Sequence, residues 1–168
     1  MDTGKQQILS LLQQVADPEV PVLSVIDLGI VRDIKLFTTP LGEEVIEVFI
    51  TPTYSGCPAM DVISMEIKML LLEYGFKKVI VTNILSPAWT TDWMSEAGKE
   101  KLKAFGIAPP HPMRSVCDTE LFAKEEAIQC PHCQGYNTRL ISQFGSTACK
   151  ALYQCNDCQE PFDYFKCH

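Results

Sequence analysis

The sequence predicts an α/β (α+β) domain, a small sheet with packed helices in the order αββαβα, followed by a C-terminal zinc-ribbon module. Three observations lead there. Apolar residues recur at helical spacing in three segments, and β-branched runs lie between them. A proline-rich stretch, with Pro109, Pro110 and Pro112, separates this part from the rest. Two CxxC pairs, Cys130/Cys133 and Cys155/Cys158, then close the chain. The corresponding division is a domain over 1–107, a linker over 108–127 and a ribbon over 128–168.

The elements follow in order. Thr3 to Ala16 reads as an amphipathic helix, with Thr3 and Gln6 at capping-box spacing and Ile8, Leu11, Leu12 and Val15 on one face. Asp17-Pro18 stops it, because a residue before proline is pushed out of the α region. Ile30–Phe37 and Glu44–Thr51 read as a hairpin turned at Thr39-Pro40-Leu41-Gly42. Pro58–Tyr74 is the longest helix. Met60, Ile63, Ile67, Leu70 and Leu71 form one stripe, and Val62, Met65, Met69 and Leu72 widen it; burial under the sheet is the expected role, and a Met-rich binding groove is the alternative. Gly75 terminates this helix. Lys78–Leu85 is a third strand, and Asp92–Phe105 a third helix with Thr91 or Asp92 as its cap.

Composition limits the function classes. A chain of 168 residues, 46% hydrophobic and 21% charged, suffices for one cored domain and a small appendage. No apolar run is long enough to cross a bilayer, and the N-terminus lacks a secretory pattern, so a cytoplasmic location is expected. The formal net charge of −7 disfavours a phosphate backbone, and Lys99, Lys101 and Lys103, interleaved with Glu100, read as a solvated helix face. Protein partners are expected; nucleic acid and membrane are not.

The spacing of the tail cysteines suits one closed, tetrahedral site. Two residues between cysteines aim both sulfurs at one ion, and a hairpin brings the second pair opposite. Zinc is the expected ion; a four-cysteine site can also hold iron, and two disulfides are the alternative in an oxidising setting. Cys149 and Cys167 are left over as small buried residues or spare ligands, with His132 and His168 as substitute ligands. GSTACK lacks the spacing of a phosphate loop.

Cys57 stands apart in TPTYSGCPAMD. Pro58 suits the first position of a helix, which puts Cys57 at the helix mouth, where free N–H groups and the dipole favour a thiolate. Gly56 lets the backbone approach closely. Asp17 and Glu19 of the DPE loop, with Asp27, supply carboxylates that could share a transient metal with the thiolate. The plainer reading makes Asp17 and Glu19 turn and capping groups and Cys57 a small buried residue.

DPEVPVLSVIDLGIVRDI, TPTYSGCPAMD and SPAWTTDWMSEAGKEKL, in that order, resemble the small iron–sulfur-assembly family, also described as metal–sulfur cluster biosynthetic proteins. The resemblance covers about residues 5–107. With the tail FGSTACKALYQC and EPFDYFKCH, the whole chain resembles the accessory-subunit family of bacterial phenylacetyl-CoA oxygenase (ring 1,2-epoxidase) systems. The resemblance implies an accessory factor of phenylacetate catabolism, not an enzyme, that helps iron–sulfur or iron centres mature in client subunits. The implied clients are an iron–sulfur reductase subunit and a di-iron oxygenase subunit. The family's motif residues fall on Asp17, Pro18, Glu19, Asp27, Leu28, Gly29, Thr51, Cys57 and Pro58, with Trp89 and Asp92 in the loop to the last helix, and its reactive cysteine is Cys57.

One thiolate cannot hold a cluster alone. Iron or an iron–sulfur cluster carried transiently at Cys57 would need a second chain in a homodimer, a client, or Cys117 of the linker. Three other functions compete with this one: a non-catalytic scaffold docking on the oxygenase through its ribbon, a thiol enzyme, and a zinc-ribbon nucleic-acid protein. The histidines, His111, His132 and His168, all lie far from Cys57 in sequence, which weakens the thiol-enzyme reading.

Overall fold

A computed structural model describes residues 2–110 and 127–166 of the chain. Two compact units emerge, Met1–Gly98 and Lys99–His168. The expected linker, with Cys117, lies largely outside the described residues, as do Cys167 and His168.

The first unit opens with α1 (Asp2–Leu12), which buries Ile8, Leu11 and Leu12. The helix stops four residues short of the expected Ala16. Its last turn tightens, with Gln14 and Val15 donating to the carbonyls of Leu11 and Leu12. Ala16 is instead drawn into an antiparallel bridge with Ser24, and the Asp17 N–H donates to the Leu23 carbonyl at 2.8 Å. The DPE stretch is therefore a closed loop.

β1 (Val31–Thr38) and β2 (Glu44–Ile50) form the expected hairpin, with Ile34 opposite Val48 and Lys35 opposite Glu47. β3 (Val79–Asn83) lies parallel to β2, giving the order β1-β2-β3. Parallel pairing needs a crossover, and α2 (Ala59–Glu73) provides it. One sheet face carries Ile34, Ile46, Val48 and Ile50 into the core; the other is mixed, with Val45 buried, Phe37 and Ile80 exposed, and the Thr82 hydroxyl donating to Glu47 at 2.8 Å.

α2 buries Met60, Ile63, Ile67 and Leu71. Full burial of each aliphatic side chain contributes about 1.5–3 kcal/mol. The second stripe, Val62, Met65, Met69 and Leu72, is exposed, contrary to expectation. Three strands offer a narrow platform, so one side of the helix is covered and the opposite side is not.

After β3 the chain makes a 3-10 turn, Thr91–Trp93, before α3 (Glu96–Ala104). Met94 between them is extended, so neither Thr91 nor Asp92 caps α3. Ser95 does, its hydroxyl accepting the Gly98 N–H at 2.9 Å. This segment docks on Asp27-Leu28-Gly29. The Ser95 N–H donates to the Asp27 carbonyl at 2.9 Å, and the buried Trp89 indole N–H donates to the Leu28 carbonyl at 2.9 Å. Gly29 has φ +67, and a Cβ there would collide with the Trp93 carbonyl oxygen.

The second unit holds a four-stranded sheet ordered β4-β7-β6-β5, from β4 (Ile107–Ala108), β5 (Thr138–Ser142), β6 (Lys150–Cys155) and β7 (Pro161–Phe165). β6 is antiparallel to both β5 and β7, and β4 pairs parallel to β7 through Ile107–Asp163 and Ala108–Tyr164. Ala108, the first residue of the expected linker, thus belongs to a strand. The core is small: Ala108, Ile128 and Phe162 pack with Cys130 and Cys155, and Tyr153 stacks on Phe162 at 6.0 Å.

Gly29→Ala combines positive-φ strain with a backbone collision. It is expected to destabilise the first unit by about 3 kcal/mol or more, seen as an earlier thermal or urea transition, with no change in metal content.

Candidate functional site

The four sulfurs of Cys130, Cys133, Cys155 and Cys158 lie within 4.8 Å of one another. Cys133–Cys155 is 3.5 Å and Cys130–Cys158 is 3.8 Å. A tetrahedral ion with sulfur at about 2.3 Å requires sulfur–sulfur edges of about 3.8 Å. The donor set therefore fits a closed, structural metal site.

The two knuckles are built alike. Cys130 N–H donates to the Gly135 carbonyl, as Cys155 N–H does to Glu160. The residue after each second cysteine, Gln134 or Gln159, has positive φ, 63 and 64 degrees. The glutamine before each first cysteine, Gln129 or Gln154, donates its side-chain amide to the carbonyl of Gln134 or Gln159. The sequence carries this as a repeated QCxxCQ, in QCPHCQ and QCNDCQ, a signal beyond the CxxC spacing alone.

Backbone N–H groups aimed at the sulfurs, burial and the crowding of the sulfurs together set the order of ionisation. The N–H groups of Cys158 and Asp157 lower the Cys155 thiol to about 7. The Glu160 N–H favours a Cys158 thiolate, but burial and the neighbouring sulfurs push that thiol up to about 12. A divalent cation removes this conflict by neutralising the crowded charge. His132 and the buried Cys149, which sits 3.0 Å from the Thr147 hydroxyl, are not among the four clustered ligands.

The second candidate site is the loop between β2 and α2. Cys57 N–H donates to the Tyr54 carbonyl at 3.3 Å across a turn in which Gly56 has φ +77. Gly56 serves this turn; a Cβ on it would meet nothing within 4 Å. Pro58 has helical angles, φ −68 and ψ −20, so Cys57 immediately precedes the helical backbone. It is half-buried.

The helix mouth does not ionise Cys57. Burial raises its pKa; the Ala59 N–H and the Tyr54 hydroxyl pull it down, and the carboxylates of Glu19 and Asp17 push it up again. The balance leaves the thiol raised above its ordinary value, against the expectation of a lowered one. Tyr54 also reaches Glu19 Oε1 at 3.5 Å. Asp17, Glu19, Tyr54 and Cys57 thus act on one another.

The carboxylates differ in availability. Asp17 Oδ1 accepts the N–H groups of Glu19 and Val20 at 2.7 and 2.9 Å, so it shapes the DPE turn. Asp27 is buried; its Oδ2 accepts from the Ser24 N–H and hydroxyl and its Oδ1 from the Ser95 hydroxyl. Among the described residues, no group of three ligating side chains that includes Cys57 comes together. Thr51, at the start of the same loop, buries a hydroxyl with no hydrogen-bond partner among the described residues.

Both sites fall within known families. The family described as "Iron-sulfur cluster assembly protein" matches residues 5–79, and the family described as "PaaD zinc beta ribbon domain" matches residues 115–166. The chain is 48% identical over 161 residues to an Escherichia coli (strain K12) protein provisionally named as a subunit of 1,2-phenylacetyl-CoA epoxidase, covering 96% of this chain and 92% of that one. It is 33% identical over 96 residues to the Fe-S protein maturation auxiliary factor YitW of Bacillus subtilis (strain 168), covering 56% of this chain and 89% of that one. A crystal structure of the domain of unknown function DUF59 from Bacillus anthracis matches with TM-score 0.52 and 24% identity over 60% of this chain and 92% of that one, a likeness of fold.

Stripping the metal from the ribbon with a strong chelator removes a contribution on the order of 10 kcal/mol; amide exchange in 127–166 is expected to become fast while α2 stays protected. Iodoacetamide labelling of Cys57 is expected to rise only at a pH above that of a free cysteine. Glu19→Gln removes a charge that opposes the thiolate, so the midpoint falls. Tyr54→Phe removes a donor to it, so the midpoint rises. Labelling followed by mass spectrometry against pH checks both signs.

Proposed function

We propose an accessory, non-catalytic role for this chain, which belongs to the family of PaaD-type subunits of 1,2-phenylacetyl-CoA epoxidase. In this reading it assists assembly or maturation of the iron–sulfur and iron centres of client subunits in a phenylacetyl-CoA oxygenase system, a reductase and a di-iron oxygenase. It works in the cytoplasm, and its ribbon holds zinc.

The observation that carries the reading is the Cys57 loop, within the iron–sulfur-assembly match over residues 5–79. A half-buried thiol there is flanked by Tyr54, Glu19 and Asp17. Iron or a cluster is the cargo, not a resident group. A thiol held protonated by burial, with two carboxylates adding to the effect, does not ionise on its own at neutral pH. An arriving cation reverses this: it is attracted by Glu19 and Asp17, displaces the thiol proton and binds the thiolate, with Glu19 close enough to assist. Loss of the cation to a client returns the proton and restores the neutral thiol. The same design makes binding weak and reversible, which suits transfer better than storage.

That no group of three ligating side chains forms around Cys57 among the described residues supports two routes to a complete site: a client's own ligands or a second copy of Cys57 in a homodimer. It also favours the competing reading, a scaffold that docks on the oxygenase through its ribbon and does no metal chemistry at Cys57.

Cys57→Ser separates the two. The substitution is expected to change stability by less than about 1 kcal/mol, since a serine oxygen can still accept from the Ala59 N–H and the Tyr54 hydroxyl. Iron and acid-labile sulfide in clients produced with this variant are expected to fall to a minor fraction of the normal content. Full occupancy with Cys57→Ser, together with loss of association for Cys155→Ser, would assign the scaffold role instead.

A further inference from the structure

The outer side of α2 is unexplained by the fold. Val62 is 38% exposed, Met65 55%, Met69 62% and Leu72 49%. Their spacing is three, four, three, the repeat that places side chains along one seam of a helix facing another helix. At 100 degrees per residue this seam lies opposite the face formed by Ile63, Ile67 and Leu71, which is buried. A helix apolar on both sides is one that is covered on both sides. Methionines at the centre of the seam add a side chain that adapts to varied partners.

The flanks of the seam say what covers it. Glu66 and Glu73, seven residues apart, border one side; Asp61 and Lys68 border the other. A second copy fits poorly. Antiparallel pairing of two seams about their midpoint sets Glu66 against Glu66 and Lys68 against Lys68. Parallel pairing sets Asp61 against Glu66 and Lys68 against Glu73, one repulsive and one attractive pair that cancel, whereas a basic partner meets only attraction at Glu66 and Glu73. At the C-terminal end of the helix, Gln14, Leu70, Glu73 and Tyr74 line a cavity of about 300 Å³. A mostly polar lining that includes an aromatic ring and a carboxylate suits the charged end of a long cationic side chain. The chain's net charge of −7 steers the same kind of partner.

We propose that the outer seam of α2 is a docking surface for an amphipathic helix of a protein partner, with apolar residues facing Val62, Met65, Met69 and Leu72 and basic residues facing Glu66 and Glu73. The inference rests on α2 and its flanks and holds whether or not Cys57 handles metal.

Two labelled synthetic helices of three heptads test it on the full, metal-loaded chain. Both carry leucine at the seam positions; one has lysine and arginine on its flanks, the other glutamate. Fluorescence anisotropy is expected to show the basic helix binding at least about tenfold more tightly than the acidic one. Met65→Glu with Met69→Glu is expected to abolish that binding, although the added negative charge would strengthen any unspecific attraction to a basic peptide. Glu66→Lys with Glu73→Lys is expected to reverse the preference, and circular dichroism verifies that each variant is folded. Should the seam variant fail to fold, the charge-reversed variant still decides. Equal binding of both helices, binding of neither, or unchanged binding in the folded seam variant overturns the proposal. So does a dimer of the native chain in sedimentation that Met69→Glu converts to a monomer, since a second copy would then be the occupant.

Discussion

Asp27 is the constraint on which the first unit depends. Its carboxylate is buried and accepts three hydrogen bonds, two from Ser24 and one from Ser95, while its carbonyl accepts the Ser95 N–H. A buried carboxylate is tolerable only with such partners, and removing one leaves a charge that is costly to bury. Through these bonds one residue ties the end of the DPE loop to the segment that starts α3. Its neighbours extend the tie: the Leu28 carbonyl holds the Trp89 indole, and Gly29 admits the Trp93 carbonyl. Gly98, where a Cβ would come within 3.0 Å of Asp27, allows α3 to begin against it.

The consequence reaches Cys57 through the loop that Asp27 helps to close. Ser24 pairs with Ala16, which leaves Asp17 to turn the chain and Glu19 to project where it meets Tyr54. Two carboxylates thus bear on a thiol that sits at a helix mouth. Helix termini lower thiol pKa values when solvent and dipole act alone. Here burial and negative charge outweigh the Ala59 N–H, and the thiol is held neutral. A thiol held neutral is a poor nucleophile, which weakens the thiol-enzyme reading.

Much of this was legible in the sequence. Alternation in β2 and helical spacing in α1 and α2 gave the right elements, since each reports a single buried face. CxxC pairs gave the metal site, and a knuckle needs nothing beyond local geometry. Most of the misreadings concern contacts between segments that are not adjacent in the chain; the exposed outer stripe of α2 is the exception, since its pattern alone does not say which apolar face is covered. The Ala16–Ser24 bridge shortened α1, and the docking of Ser95 on Asp27 moved the cap of α3 three or four residues along. The direction of the Cys57 shift depended on burial first, with Glu19 and Asp17, some forty residues away, adding to it. The QCxxCQ repeat is different, because it was present in the letters and its meaning, an amide closing each knuckle, became clear only from the hydrogen bonds.

The two cysteine sites also differ in rigidity. In the ribbon, paired bonds from Gln129, Gln154 and the knuckle backbones fix four sulfurs with no open position, so exchange of its ion requires the knuckles to open. At Cys57, one thiol with carboxylates nearby leaves most of any coordination sphere to another molecule. A closed site suits a fold that is too small to hold itself together by apolar burial, and an open one suits transfer. The exposed seam of α2 belongs with the second requirement. An ion or cluster passed from a weak site must be received at short range, and a helix whose first turn follows Cys57 and whose outer face takes a partner would bring recipient and thiol together on the same element.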